Sequence, residues 1–394
     1  MVMSALRCWK RMVNPVEIAE KIMLEFAYET GLSSSLKPRR YLWTDAFAVC
    51  NFLELYRRKS DLRYLQLALK LVDQVHYILG RHREDDLRRG WISGLSEEDG
   101  YEHPTIGGLR IGKPLPERRP EEPYDEILEW ERDGQYYHYL TKWMHALNMV
   151  SRATGDIKYK VWAIELAKTA HRAFIYMAPD GRRRIYWKMS IDLSRPLVPL
   201  MGLHDPLDGL ITYMNLSIDA PKEPNLNLLS EIMELEEICL GMDWTTNDPL
   251  GVGELLWSAY FLAKIILYGK PDKMSLLADI LNTALLSLEL SLATRFLRLP
   301  AGMRLAFREA GLSIGLKAAE RLLKLVESNR ILRDNSEVYS LVRSVVGYRW
   351  ISEEIEKFWL NQLNMESRAW KEHKDINMVM LATSLLPDGF LGVY

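Results

Sequence analysis

The chain has 394 residues, 48% of them hydrophobic, and its 51 Lys and Arg against 53 Asp and Glu leave a formal net charge of −2. This is a globular composition, and the balanced charge gives no electrostatic footprint for nucleic acid or an anionic membrane surface. A single compact core usually stops growing at ~250–300 residues, so the length calls for two domains or for one domain of repeats around an axis.

Helical signals dominate from the start. The segment Met1–Arg11 is broken by Lys10 and Arg11 before any signal-type apolar run develops. Apolar residues at helical spacing predict an amphipathic helix over 16–30. Ala46–Tyr56 is apolar nearly all round, as expected of a helix covered on both sides. Leu62, Leu65, Ala68, Leu69, Val72 and Val75 then form one stripe of an amphipathic helix over 62–79. The alternation continues. Further buried helices are predicted over 135–150, 206–218, 250–268, 311–326 and 375–386, and amphipathic ones over 157–176, 226–240, 273–298 and 351–363. The most apolar stretch, Leu255–Ala263, is bounded by Glu254 and Lys264 and is shorter than the ~20 residues a membrane span needs. Cys8, Cys50 and Cys239 have neither metal-ligand nor redox spacing. These features predict a soluble, cytoplasmic protein with reduced thiols and no membrane partner.

The connections repeat as well. Lys59–Tyr64, Thr154–Tyr159 and Gly269–Met274 each end a buried helix and begin an amphipathic one, with Gly as the stop and Asp or Ser as the next cap. A hairpin unit repeated along a chain is the signature of a repeat architecture. Six buried and six amphipathic helices close as an all-α (α/α)6 toroid, one domain over 1–394. In this architecture, and in the turn Thr154-Gly-Asp-Ile-Lys-Tyr159, the chain resembles the six-hairpin glycosidase superfamily. The resemblance implies a carbohydrate-active enzyme, either a glycosidase or one of the sugar 2-epimerases that share the toroid. It also implies an Asp near the start of an inner helix, a place that Asp133 matches loosely.

Two connections are long. Residues 83–134 carry Gly107, Gly108, Gly112 and five prolines between Pro104 and Pro123, and such a loop reads as a partly ordered flap. The connection over 179–204 contains Arg184–Ile191, which alternates like one short strand.

In a ring of parallel inner helices, all the inner N-termini face one mouth. The residues there are Trp43 and Asp45; Trp130, Asp133 and Gln135; His204, Asp205 and Asp208; Trp244 and Asp248; and His373 and Asp375. Asp205-Pro206 and Asp248-Pro249 have the form of ordinary helix caps, and Asp45 and Asp375 can be read the same way. Asp133, after Trp130 and before Gly134, is the first choice for a general acid, with Asp205 or Asp208 as its partner, because glycoside hydrolysis needs two carboxyls. Trp43, Trp130, Trp187 and Trp244 suit stacking on a pyranose, so the expected partner is a small sugar or oligosaccharide. Gln135, His138, Lys142 and His145 fall on one polar stripe of the second inner helix. No Gly-rich phosphate loop, nucleophile elbow or clustered His/Cys spacing occurs, so no cofactor or metal is expected. Two alternatives stand beside hydrolysis. One is sugar epimerisation by bases such as His138, His204 and His373; the other is a non-catalytic glycan- or protein-binding toroid. Oligomeric state is left open.

Overall fold

The computed structural model describes residues 14–392, apart from the Pro271 side chain; Cys8 and the segment Met1–Arg11 lie outside them. Thirteen helices of ten or more residues stand among the described residues: α1 (Pro15–Glu29), α2 (Leu42–Lys59), α3 (Leu62–Leu79), α4 (Tyr137–Thr154), α5 (Lys158–Phe174), α6 (Asp205–Ser217), α7 (Leu229–Cys239), α8 (Pro249–Leu267), α9 (Met274–Ala293), α10 (Ala306–Ser328), α11 (Ser336–Val346), α12 (Trp350–Trp359) and α13 (Lys374–Leu385). All twelve expected helices are present, and α11 is an addition. Its buried face, Val338, Val342 and Val345, has helical spacing but spans only two turns.

The alternation of burial is also as expected. Leu42–Leu55 of α2 are buried without a break, as are Leu140–Ser151 of α4 and Leu255–Ala263 of α8, whereas α3, α7 and α12 each keep an exposed side. The hairpin turns use left-handed backbone. Gly155 closes α4 at φ 75°, and Ser60, at the equivalent place after α2, adopts φ 54° despite its side chain.

The helices group into two compact units. One holds residues 14–36, 50–67 and 245–392, and the other holds 37–49 and 68–244. In the first unit α8 packs on α9 and α10, α10 on α12 and α13, and α13 on α1. A methyl added at Gly253 would lie 2.2 Å from the Gly311 carbonyl oxygen, and one at Gly315 would lie 2.5 Å from that of Gly253. Small residues therefore let the α8 and α10 backbones touch.

In the second unit α4 packs on α5 and α6, and α6 on α7. Two small antiparallel sheets accompany them. β1 (Gln135–Tyr136), β4 (Lys188–Met189) and β5 (Pro196–Val198) form one, in the order β1-β4-β5, and β2 (Ile175–Met177) pairs with β3 (Arg183–Ile185) in the other. The single strand expected over 184–191 is thus two strands. Arg183–Ile185 pairs with β2, and after Tyr186 and Trp187 the chain changes sheet, so Lys188 lies opposite Tyr136. Gln135, expected inside a helix, belongs to β1, and α4 begins two residues later.

The segment 83–134 is tied down at many points. It contains short helices at Glu97–Glu102 and Glu126–Glu131 and a bridge from Leu115 to Arg132. Its main anchor is Asp133, described next.

Candidate active site

The first turns of α4 and α6 bring His138, Thr141 and Lys142 against Asp205 and Asp208. His204 occupies the cap position of α6, and Asp205, the first helical residue, makes no cap bond. Pro206 behind it has no N–H to offer. The cap expected of Asp205 is therefore not made. Its carboxylate points elsewhere, with Oδ1 3.5 Å from His138 Nδ1, just beyond a good hydrogen bond. Asp208, three residues on, shares that helix face. It accepts from Lys142 Nζ at 2.6 Å and also from the Thr141 hydroxyl. Lys142 is buried and stands 5.6 Å from the centre of the Trp43 ring.

Aromatic rings enclose this charge cluster. His138 stacks on Tyr136 at 5.4 Å and 26° and meets Trp43 edge-on at 6.0 Å. Tyr139 touches the rings of Trp43, Tyr136 and His138, and its hydroxyl bonds that of Tyr41 at 2.6 Å. Burial pushes the Tyr41 and Tyr136 phenols well above their ordinary range, so both stay neutral. The His204 Nε2–H donates to the Trp244 carbonyl at 2.9 Å, which anchors that imidazole beside Asp205.

Four polar atoms of this cluster are buried without a hydrogen-bond partner: Asp205 Oδ2, His138 Nδ1, and the indole Nε1 of Trp43 and of Trp244. Asp205 is only 5% exposed. An orphaned buried polar group costs ~1–3 kcal/mol, so each of these four atoms has hydrogen-bonding capacity that the described residues leave unused.

Asp133 is arranged in the opposite way. Its side chain is fully buried and both oxygens are taken. Oδ2 accepts from Arg110 at 2.9 Å and Arg83 at 3.2 Å, and Oδ1 accepts from the backbone N–H of Gly112 at 2.9 Å and of Gly134 at 3.1 Å. Two guanidiniums and two amides hold it in a clamp that ties residues 83–134 together, and neither oxygen is left open for the general-acid role expected of Asp133. Gln135 is likewise a clamp. Its amide bonds Leu109 N, Gly107 O and Ile191 O. Asp45 accepts the Tyr41 backbone N–H at 2.8 Å and lies 3.5 Å from Arg40, bracing the start of α2. His145 is buried further along α4, while Trp130 and Trp187 meet edge to face at 4.9 Å.

The other unit contains the remaining candidates. Asp248 caps α8 through Leu250 N at 3.3 Å and pairs with Arg308, as the helix-start motif implies. His373 occupies the cap position of α13 with its ring edge-on to Phe307 at 5.7 Å, and Asp375 is half-buried in the first turn. Sequence reasoning passed over Tyr41, Tyr136, Tyr139 and Thr141. The run Tyr136-Tyr-His-Tyr139 was the available signal. Among the described residues no group of three or more His, Cys, Asp or Glu could hold a metal ion.

No protein-family model matches the chain, and no curated protein matches it. Solved structures do. The GH76A alpha-1,6-mannanase from Salegentibacter sp. HEL1_6 is similar at a TM-score of 0.51 and 13% identity, over 95% of this chain and 99% of that one. The cellobiose 2-epimerase from Spirochaeta thermophila DSM 6192 gives 0.48 and 14%, over 88% of this chain and 87% of that one. A D-mannose isomerase gives 0.44 and 12%, over 85% of each chain. The likeness to the mannanase shows the fold, an all-α (α/α)6 toroid.

Proposed function

We propose that the chain is a carbohydrate-active enzyme whose reaction centre is Asp205 with His138 and Asp208. One observation carries this reading: the four unpartnered buried polar atoms, Asp205 Oδ2, His138 Nδ1, Trp43 Nε1 and Trp244 Nε1, in a cluster rich in aromatic faces. A sugar ring supplies what both features require, hydroxyls for the polar edges and an apolar C–H face for the rings. The similar mannanase has been captured as an inactive variant holding alpha-1,6-mannotriose, which supports the same class of ligand.

Glycoside hydrolysis is the first reaction assigned. Asp205 has the open carboxyl oxygen and gives its proton to the leaving-group oxygen as the glycosidic bond breaks; it then takes a proton back from the water that adds to the anomeric carbon, which restores the acid. Asp208, on the same face of α6 and paired with Lys142, supplies the fixed negative charge that an oxocarbenium-like transition state needs. The approach of His138 Nδ1 to Asp205 at 3.5 Å favours a second reading, proton transfer next to a sugar carbonyl, with the imidazole as base and the carboxylate orienting it.

Mass spectrometry of a sugar panel separates the two. Wild type and Asp205→Asn are each incubated with alpha-1,6-manno- and cello-oligosaccharides and with mannose and glucose, in ¹⁸O-labelled water and in deuterium oxide. Chain shortening with ¹⁸O uptake in the wild type alone supports hydrolysis. Deuterium entering an intact sugar in the wild type alone supports the second reading. An Asp205→Asn chain as active as wild type removes Asp205 from both.

A further inference from the structure

Next to the Asp205–His138 centre is an aromatic corner held by a buried ion pair. Trp130 stands on the short helix Glu126–Glu131 and keeps 46% of its surface exposed. Its ring meets half-buried Trp187 edge to face at 4.9 Å and 76°. Trp187 in turn lies nearly parallel to His138, at 6.4 Å and 14°, and 5.1 Å from Tyr136. The rings therefore continue from the proposed reaction centre out to solvent.

The residues adjacent in sequence explain why this corner is rigid. Glu129 precedes Trp130, and Lys188 follows Trp187. The Lys188 ammonium, wholly buried, donates to Glu129 Oε1 at 3.0 Å, to Glu129 O at 2.6 Å and to Arg132 O at 2.8 Å, which uses all three of its hydrogens. Two of these acceptors are carbonyls at the end of the short helix, where no helical partner is available. Glu129 Oε2 accepts from Arg118 Nε at 2.9 Å. Burial drives the Lys188 pKa down, while Glu129 opposes the shift. A buried ion pair of this kind is seldom worth its desolvation in stability alone. What it does supply is a fixed place for the tryptophan beside each partner. Lys188 is also paired across β4 with Tyr136, so the corner and the reaction centre share one frame.

A rigid, half-exposed indole adds little to a core, and a right-angled pair of indoles is a stacking surface for a pyranose ring. We infer that Trp130 and Trp187 form a second sugar subsite, which makes the substrate an oligosaccharide rather than a monosaccharide. The inference rests on the sugar-directed reading of the Asp205 centre.

Saturation-transfer NMR titrations of the full chain with mannose, glucose, alpha-1,6-mannotriose and cellotriose test it. The wild type is expected to bind a trisaccharide at least ~10-fold more tightly than its monosaccharide, in line with about one good aromatic contact. Trp130→Ala is expected to bring that ratio close to one, and Trp130→Tyr to restore most of it. A Trp130→Ala chain that keeps the wild-type ratio overturns the subsite, and so does a wild type with no preference. A wild type that binds none of the four sugars overturns the reading of the centre and the subsite with it.

Discussion

Glu309 and Asp205 are both buried carboxylates in the first turn of a helix, one in each unit, and they are treated in opposite ways. Glu309, on α10, takes two hydrogen bonds from Arg304, at 2.8 and 2.6 Å, and one from the Trp359 indole at 2.8 Å. The Arg304 guanidinium lies 3.7 Å over the Phe358 ring. Asp205, on α6, has one oxygen with no partner and the other 3.5 Å from an imidazole that is itself unpartnered at Nδ1. The two indoles nearest in kind differ in the same way: Trp359 Nε1 is bonded, and Trp43 Nε1 is not. Burial alone does not separate a structural carboxylate from a functional one. The state of its hydrogen-bond partners is what distinguishes these two, and it is the ground for the role proposed for Asp205.

The sharpest way to break this contrast is to neutralise each carboxylate in turn. Asp205→Asn is expected to cut turnover by ~10³-fold, a loss typical of a general acid, while moving unfolding free energy by less than about 1 kcal/mol, since it ends no hydrogen bond. Glu309→Ala is expected to do the reverse, costing about 3–5 kcal/mol because Arg304 is left buried and unpaired. Turnover assays and denaturant melts on the two variants check both halves. Asp133→Ala belongs with Glu309, and a comparable loss of stability is expected from stranding Arg110 and Arg83. If Asp133→Ala melts like the wild type but is inactive, the carboxylates have been sorted wrongly.

Packing of the first unit gives a smaller effect. Gly253→Ala places a methyl 2.2 Å from the Gly311 carbonyl oxygen, and an overpacked contact of this kind costs about 1–3 kcal/mol. A lower denaturation midpoint at unchanged turnover per folded molecule is the expected result.

The mildest test uses pH. His76, buried in the second unit, accepts from Trp143 Nε1 at 3.0 Å, and burial lowers its pKa from 6.5 to about 3. The unfolded chain holds this proton more tightly than the folded one. The His76 contribution is therefore intact above pH 6.5 and is lost as pH falls toward 3. At pH 5 the loss is about 2 kcal/mol. His76→Gln, which can still accept from Trp143, is expected to flatten the acid limb of a stability–pH profile while leaving neutral stability within about 1 kcal/mol. A limb of unchanged steepness would assign acid sensitivity to other groups.

The fold was legible because helices of this length announce themselves through local periodicity and because their turns carry Gly155, Ser60 and Asp caps in sequence. Helix α11 was missed because two turns of Val338, Val342 and Val345 give a weak signal. The candidate site was only partly legible. Asp205, Asp208, His138, Lys142, Trp43 and Trp244 were all named, but Asp133 was ranked above them. Its partners Arg83 and Arg110 lie 50 and 23 residues earlier, and pairing across such separations leaves no periodic trace. Asp205-Pro206 looked like a cap for the same reason. A motif gives the chance of a cap bond, and only the backbone shows that His204 takes the cap position instead.

The central claim is that the unpartnered edges around Asp205 await a sugar, and the indole N–H region of a proton–nitrogen correlation spectrum tests it most directly. Signals of Trp43 and Trp244, assigned by single Trp→Phe substitutions, are expected to move on addition of alpha-1,6-mannotriose or cellotriose. Those of Trp143 and Trp359, already bonded to His76 and Glu309, are expected to stay in place. Stationary Trp43 and Trp244 signals at saturating sugar, or equal movement of all four, would contradict the account.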